Sequence, residues 1–401
     1  MTTNPKWTLV KGQFQITVTG LKQRTSSAMR GSSAMKLKSI ETFSTRHVGF
    51  VRVTDEDGTK GWGQLSTYNS DISSQVLHRQ VAPWTLGVEI IDLDDHLDLL
   101  TEREHKFPGS YLRRAIGGLD TAIWDLRGKQ AEKPVVSLLG GTPGPLRAYA
   151  SSMKRDITAQ DEVERFKQLR QDFGFDAFKF RIGAEVGHDR DEWPGRTEEI
   201  IPAVAKAFDP GVALLADANS CYSPETAIRV GHLMEDHGLV HFEEPCPYWE
   251  LEQTKRVTDA LDIAVTGGEQ DCDLTIWRRM IDMHAVDIVQ PDILYLGGIN
   301  RTLRVARMAK AAGMPVTPHS ANLSLVTLFT MHFLRAIDNA GDYLELSIEG
   351  ADYYPWQYGL FRNDPYRVSD GKVTVTDAPG WGIEIDPEWL AKATYQISEL
   401  D

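Results

Sequence analysis

Three acidic residues close short apolar runs at equal intervals in the middle of the chain. Asp217 follows Leu214-Leu215-Ala216, Glu243 follows His241-Phe242, and Glu269 follows Val265-Thr266-Gly267-Gly268; the interval is 26 residues in both cases. On successive strands of a strand–helix repeat, that period delivers each carboxylate to the same rim, the C-terminal face where such barrels carry their chemistry. Three carboxylates crowded together raise one another's pKa, and burial raises them further, so they stay ionised only around a cation. Ligands that are all oxygen suit a hard divalent ion, which makes Mg2+ the expected metal, with positions left for water or substrate. Taken singly, each acid is an ordinary strand-end charge or helix cap. Their common phase, in the settings Asp-Ala-Asn, Glu-Glu-Pro and Gly-Glu-Gln, favours the metal.

The rhythm continues beyond Glu269. Asp292 follows Gln290-Pro291 after 23 residues, His319 follows Thr317-Pro318 after another 27, and Glu345 comes 26 later. Asp292 and His319 on adjacent strands are expected to form a dyad in which the carboxylate fixes the imidazole tautomer and raises its pKa. Earlier, Phe178-Lys179-Phe180-Arg181 places Lys179 and Arg181 on one face, because strand side chains alternate. Two cations turned into a barrel need an anion, and a substrate carboxylate beside the metal provides one. Metal, lysine and dyad together suit removal of the proton α to a carboxylate, the enediolate being stabilised by metal and cations.

The elements that must position these residues are legible in outline. Short β-like runs at Arg147–Ser151, Ala177–Arg181, Val212–Asp217, Leu239–Glu243, Ile263–Thr266, Val286–Val289, Val316–Pro318 and Tyr343–Leu346 alternate with helical patterns. Eight such strands predict an α/β fold, a parallel sheet closed into a (β/α) barrel. Before them, Phe14 to Gln64 reads as antiparallel β with a hairpin turn at Asp55-Glu56-Asp57-Gly58, followed by helices in which Leu112, Ala115, Ile116, Leu119, Ala122, Ile123 and Leu126 share a face. The breaker-rich Gly140–Pro145 marks a boundary. The expected division is a capping region over residues 1–145, a barrel over 146–348, and a tail over 349–401 that packs back on the cap. The small, polar stretch Arg24–Ser33 reads as a mobile loop, either a plain connection or a lid.

Composition excludes several classes. A formal charge of −14, from 43 basic and 57 acidic residues, argues against nonspecific binding to nucleic acid or anionic membrane. No apolar run is long enough for a bilayer span, and Met1–Gly20 lacks a signal-peptide core, so a soluble cytoplasmic protein is expected. Three cysteines, Cys221, Cys246 and Cys272, without a CxxC pair predict neither a disulfide framework nor structural zinc.

With these residues in hand, the chain resembles the mandelate racemase subgroup of the enolase superfamily. The resemblance is carried by Lys179-Phe180-Arg181, Asp217-Ala218-Asn219, Glu243-Glu244-Pro245, Gly268-Glu269, Pro291-Asp292 with Gly297-Gly298, Pro318-His319 and Glu345, with Arg113-Arg114-Ala115-Ile116 through Trp124-Asp125 in the cap. It implies a modified TIM barrel under an α+β capping domain, one Mg2+ on Asp217, Glu243 and Glu269, and His319–Asp292 as acid and base. It also implies Glu345 as an acidic hydrogen-bond donor to the substrate carboxylate and Asn219 as a contact to a substrate hydroxyl. One departure matters: racemases of the subgroup have Lys-x-Lys where this chain has Arg181, and arginine is a poor base. The expectation is therefore a lyase, a dehydratase of an acid sugar, with Lys179 and Arg181 on its carboxylate and Lys179 as alternative base. Arg24, in the candidate lid, would reach the distal substrate groups. A hydroxy-acid racemase or epimerase is the alternative enzyme, and a metal-binding scaffold without activity the alternative of another class. A homo-oligomer acting on a small molecule is expected.

Overall fold

The computed structural model describes residues 34–400, so Arg24 and the rest of Arg24–Ser33 lie outside the described residues. Three antiparallel strands come first: β1 (Leu37–Ser44), β2 (Gly49–Asp55) and β3 (Lys60–Leu65). The β2–β3 turn works as its residues require. Asp55 Oδ1 accepts the Thr59 N–H at 2.8 Å, and Gly58 takes a φ of 85° that only glycine adopts without strain. The long helix Ser110–Gln130 lies on this sheet with its apolar stripe inward. Sheet and helix touch backbone to backbone at Gly61 and Gly63, where any Cβ would collide with Ala122. Between the two glycines, the Trp62 N–H reaches Asp125 Oδ2 at 2.7 Å, and the Trp381 N–H reaches the other oxygen at 2.8 Å.

Seven strands then alternate with helices: β4 (Gly144–Ser151), β5 (Ala177–Arg181), β6 (Ala213–Asp217), β7 (His241–Glu243), β8 (Ala264–Gly267), β9 (Ile288–Val289) and β10 (Leu344–Ser347). All are parallel, in the order β10-β4-β5-β6-β7-β8-β9, so the last pairs back on the first. This is the modified (β/α) barrel, with the α+β region as its cap. The expected strand Val316–Pro318 is reduced to a single bridging residue, Val316, joined to Val289 on one side and Ala340 on the other. Pro315 and Pro318 bracket it, and neither has an N–H to extend a ladder.

Two strands end the chain. β11 (Lys372–Val375) pairs antiparallel with the start of β4, and β12 (Thr394–Glu399) with β1. Residues 35–400 cluster as one compact unit. In β5 the Phe178 ring packs between Phe166 at 4.8 Å and Phe208 at 5.0 Å in the helical layer. The alternate residues Lys179 and Arg181 therefore turn into the barrel. No described helix is long and apolar enough to cross a membrane.

Candidate active site

Strand register sets the acids side by side. Asp217 ends β6 opposite Glu243, which ends β7 and stands beside Thr266 of β8. Glu269 lies two residues past β8. The chain leaves each strand through a positive φ: 47° at Asn219, 42° at Glu244 and 107° at Gly268. Asparagine tolerates that region, and at Gly268 a Cβ would strike the Trp277 ring. Glu244 has neither excuse and is a strained residue at the rim.

Lys179 is the buried centre. Its Nζ lies 2.8 Å from Glu243 Oε1, 2.7 Å from Glu345 Oε1 and 3.6 Å from Asp217 Oδ2. Burial opposes its charge, but Glu243 and Glu345 hold its pKa well above the ordinary lysine value. Arg181 pairs through Nη1 with Asp217, and its Nη2 rests 3.0 Å from Met153 Sδ. Gln290 donates to Glu243 Oε2 at 3.0 Å. Glu345 accepts the Ser151 hydroxyl at 2.8 Å and the Ser320 N–H at 2.7 Å. Burial would raise the Glu345 carboxyl, yet Lys179 and His319 bring it below its ordinary value.

Asp292 serves two partners. Its Oδ1 accepts the N–H groups of Leu294 and Tyr295 at 2.8 and 2.9 Å, capping the short helix Ile293–Leu296, and its Oδ2 lies 2.9 Å from His319 Nδ1. That bond makes Nδ1 the donor and turns Nε2 toward Glu269 Oε2, 3.4 Å away. Burial opposes the imidazolium, but Glu269 and the Asp292 bond push His319 up to about 10. The Tyr295 ring lies 5.9 Å from the imidazole, and Arg114 of the cap helix stands 3.7 Å over Tyr295. The cap thus reaches the dyad through one aromatic ring.

As the side chains stand, no three His, Cys, Asp or Glu groups among the described residues are gathered closely enough to hold a metal. Lys179 pairs with Glu243, and Arg181 with Asp217. The residues nevertheless fit a hard cation. Burial raises Asp217, and Glu243 adds to the rise against the pull of Arg181. Burial, with Glu243 and Asp217 against the pull of His319, carries Glu269 up to about 7. Burial, then Glu269 and Asp217, carry Glu244 well above its ordinary value, and Glu244 Oε1 is buried without a hydrogen-bond partner. Oxygen donors that repel one another in a dry site are the donor set a divalent cation stabilises. Glu244 and Gln290 escape a sequence reading that takes one residue per strand end; their signals are the doublet in Glu-Glu-Pro and the glutamine before Pro-Asp.

The rim and cap have known counterparts. Residues 161–389 match the family described as enolase C-terminal domain-like, and residues 26–140 the mandelate racemase/muconate lactonizing enzyme N-terminal domain. The chain belongs to this mandelate racemase/muconate lactonizing branch of the enolase superfamily. It is 27% identical over 345 residues to arabinonate dehydratase of Saccharolobus solfataricus, covering 84% of this chain and 87% of that protein. A Roseobacter denitrificans structure, described provisionally as that of a racemase, superposes with a TM-score of 0.90 at 72% identity, over 91% of this chain and 100% of the other. A mandelate racemase/muconate lactonizing protein of Paracoccus denitrificans PD1222, complexed with magnesium, superposes with a TM-score of 0.82 at 31% identity, over 91% and 98% of the two chains.

Proposed function

We propose that the protein is a Mg2+-dependent dehydratase of an acid sugar, converting an aldonate or aldarate to a 2-keto-3-deoxy acid. The observation that carries this reading is the one-sidedness of the proton chemistry. His319, oriented by Asp292, stands alone as a proton carrier, whereas the facing pair Lys179 and Arg181 are both cations. Arginine does not deprotonate in proteins, and Lys179 Nζ is occupied by Glu243 at 2.8 Å and Glu345 at 2.7 Å. Racemisation needs a second base on the opposite face; dehydration does not.

In the proposed reaction neutral His319 Nε2 takes the α-proton, and the electron pair moves into the carboxylate to give an enediolate, whose charge Lys179 and Arg181 stabilise. The imidazolium returns its proton to the β-hydroxyl leaving on the same side. The C–O bond breaks, water departs, and the enol becomes a ketone. Asp217, Glu243 and Glu269 would hold Mg2+, which when bound neutralises charge on the substrate carboxylate. With Glu269 so engaged, its pull on the imidazole weakens and Nε2 is freed to act as base. Asn219 would hold a substrate hydroxyl. The reading is supported by a relative named as an arabinonate dehydratase and another complexed with magnesium. It includes a cytoplasmic homo-oligomer acting on a small diffusible acid.

A hydroxy-acid epimerase is the second reading, favoured by the description of the Roseobacter denitrificans relative. Incubation with Mg2+ in D2O with a stereochemically complete panel of C4–C6 aldonates and aldarates separates the two. A 2-keto product is expected from at least one acid. Deuterium exchange with inversion and no ketone would establish the epimerase. Metal binding with neither ketone nor exchange would leave a scaffold.

A further inference from the structure

We propose that Arg155 recognises a second carboxylate at the far end of the substrate, so that the acid sugar is an aldarate rather than an aldonate; this rests on the dehydratase reading above. Arg155 stands in the loop that leaves β4 at the rim. β4 lies between β10, which carries Glu345, and β5, which carries Lys179 and Arg181. Its guanidinium makes two hydrogen bonds, both to neutral oxygens: Nε to the Gly183 carbonyl at 3.0 Å and Nη2 to Asn219 Oδ1 at 3.3 Å. Among the described residues no carboxylate lies within ion-pairing distance of it, and Nη1 makes no hydrogen bond.

Two cations flanking this loop differ in this respect. Lys154 pairs with Asp352 at 2.8 Å, and Arg165 with Glu349 at 3.0 Å. The acid that most favours the Arg155 charge, Asp217, is already paired with Arg181 and is committed to the metal in the proposed reaction. Burial and the like charge of Arg181 both weigh against the Arg155 cation, lowering its pKa from the ordinary arginine value. A half-buried guanidinium beside another, without an anion of its own, gains most from a ligand that brings a carboxylate, which its planar fork takes bidentately. A terminal hydroxymethyl group offers neutral hydrogen bonds and leaves that charge unmatched.

Asn219 couples this position to the reacting end. Its backbone N–H is 2.7 Å from Asp217 Oδ1. With Oδ1 held by Arg155, the amide turns Nδ2 toward Glu244 Oε2 at 3.4 Å, as a donor facing the rim. Lys179 and Arg181 would thus take the carboxylate next to the reacting carbon and Arg155 the one beyond the hydroxyls.

The test pairs each C5 and C6 aldarate with the aldonate of the same configuration, assayed with Mg2+ on the wild type, Arg155→Met and Arg155→Lys. The wild type is expected to favour the aldarate of the active pair at least tenfold in kcat/KM. Arg155→Met should collapse that ratio at least tenfold, chiefly through the aldarate KM, and Arg155→Lys should restore part of it. A wild type that prefers the aldonate, or a ratio unmoved in Arg155→Met, overturns the inference and leaves the dehydratase reading intact. If no pair yields ketone, the dehydratase reading fails. Calorimetric titration of galactarate against galactonate then decides Arg155 separately: a wild-type preference for galactarate lost in Arg155→Met supports the inference, and equal dissociation constants end it.

Discussion

In the proposed reaction the dyad concentrates the chemistry in one imidazole, and that concentration is testable. His319→Asn removes the proton carrier but leaves Asp292 capping its helix through the Leu294 and Tyr295 N–H groups. Turnover should fall about a thousandfold, the scale of general acid–base catalysis, while Mg2+ affinity by titration calorimetry stays near wild type. Residual activity above a tenth would remove His319 from the mechanism. Glu243→Gln attacks the other half of the site. Glu243 is the acid on which Lys179, Gln290 and the neighbouring Asp217 converge. Losing its charge should weaken Mg2+ binding by tenfold or more, and an unchanged dissociation constant would show that the metal is held elsewhere. The two variants separate proton transfer from metal binding, which activity alone cannot do. Their positions are legible in the sequence because each is the polar residue that ends an apolar run, and strand period alone puts them on one rim. Arg155 is not legible in the same way: it belongs to a loop, where no period operates, and it is its place at the rim beside Asn219, together with its missing counter-charge, that singles it out.

Elements that obey a period are the ones that can be read before folding. The hairpin β2–β3 and the helix Ser110–Gln130 declare themselves through alternation and a 3.6-residue stripe, and both are found where they are expected. The helix Leu325–Leu334 has no such stripe, since every one of its residues is buried, and a helix apolar all round gives no amphipathic signal. The run at Val316 fails as a strand for a local reason, the two prolines. The buried helix also carries a pH dependence. His332 Nδ1 accepts the Val136 N–H at 3.1 Å, its Nε2 has no partner, and Trp381 lies edge-on at 5.0 Å. Burial pushes the imidazole down to about 3. The folded state therefore keeps His332 neutral while the unfolded chain takes up a proton below its ordinary pKa of 6.5, so stability is lost as pH falls from about 6.5 toward 3. The single group accounts for about 2 kcal/mol between pH 7 and pH 5. His332→Asn, which retains an acceptor for Val136, should start less stable at pH 7 but lose about 2 kcal/mol less on acidification, measured by urea unfolding at the two pH values. An identical loss in both proteins would show that His332 does not titrate as its burial requires.

At the scale of the whole molecule the question is what holds the cap over a rim whose proposed metal ligands, Asp217, Glu243 and Glu269, all come from the barrel. One buried carboxylate bears much of that task. Asp120, in the middle of the cap helix, accepts the Ile299 N–H at 2.5 Å and so caps the barrel helix Ile299–Ala311 from across the junction. The fit is tight on the barrel side as well: Gly298 has a φ of 105°, and any Cβ there would collide with the Asp120 carboxylate. Nearby, Trp124 Nε1 reaches Asn300 Oδ1 at 2.8 Å, and Gln64 at the end of β3 donates to Ser324 Oγ at 2.7 Å and accepts the Leu325 N–H at 2.8 Å. Asp120→Ala leaves the amides at the helix start buried without an acceptor, a cost of about 1–3 kcal/mol. Because Asp217, Glu243 and Glu269 do not depend on that junction, Mg2+ affinity should hold while the cap loosens. Arg114 over Tyr295, and through it the setting of His319, depends on the cap staying in place. The expected signature is a lower urea midpoint, faster proteolysis in the cap helix and at least a tenfold loss of turnover, with the Mg2+ dissociation constant unchanged. If Mg2+ affinity fell in step with turnover, the cap and the metal site would be one cooperative structure, and the view of Asp120 as a hinge-pin between separable functions would be wrong.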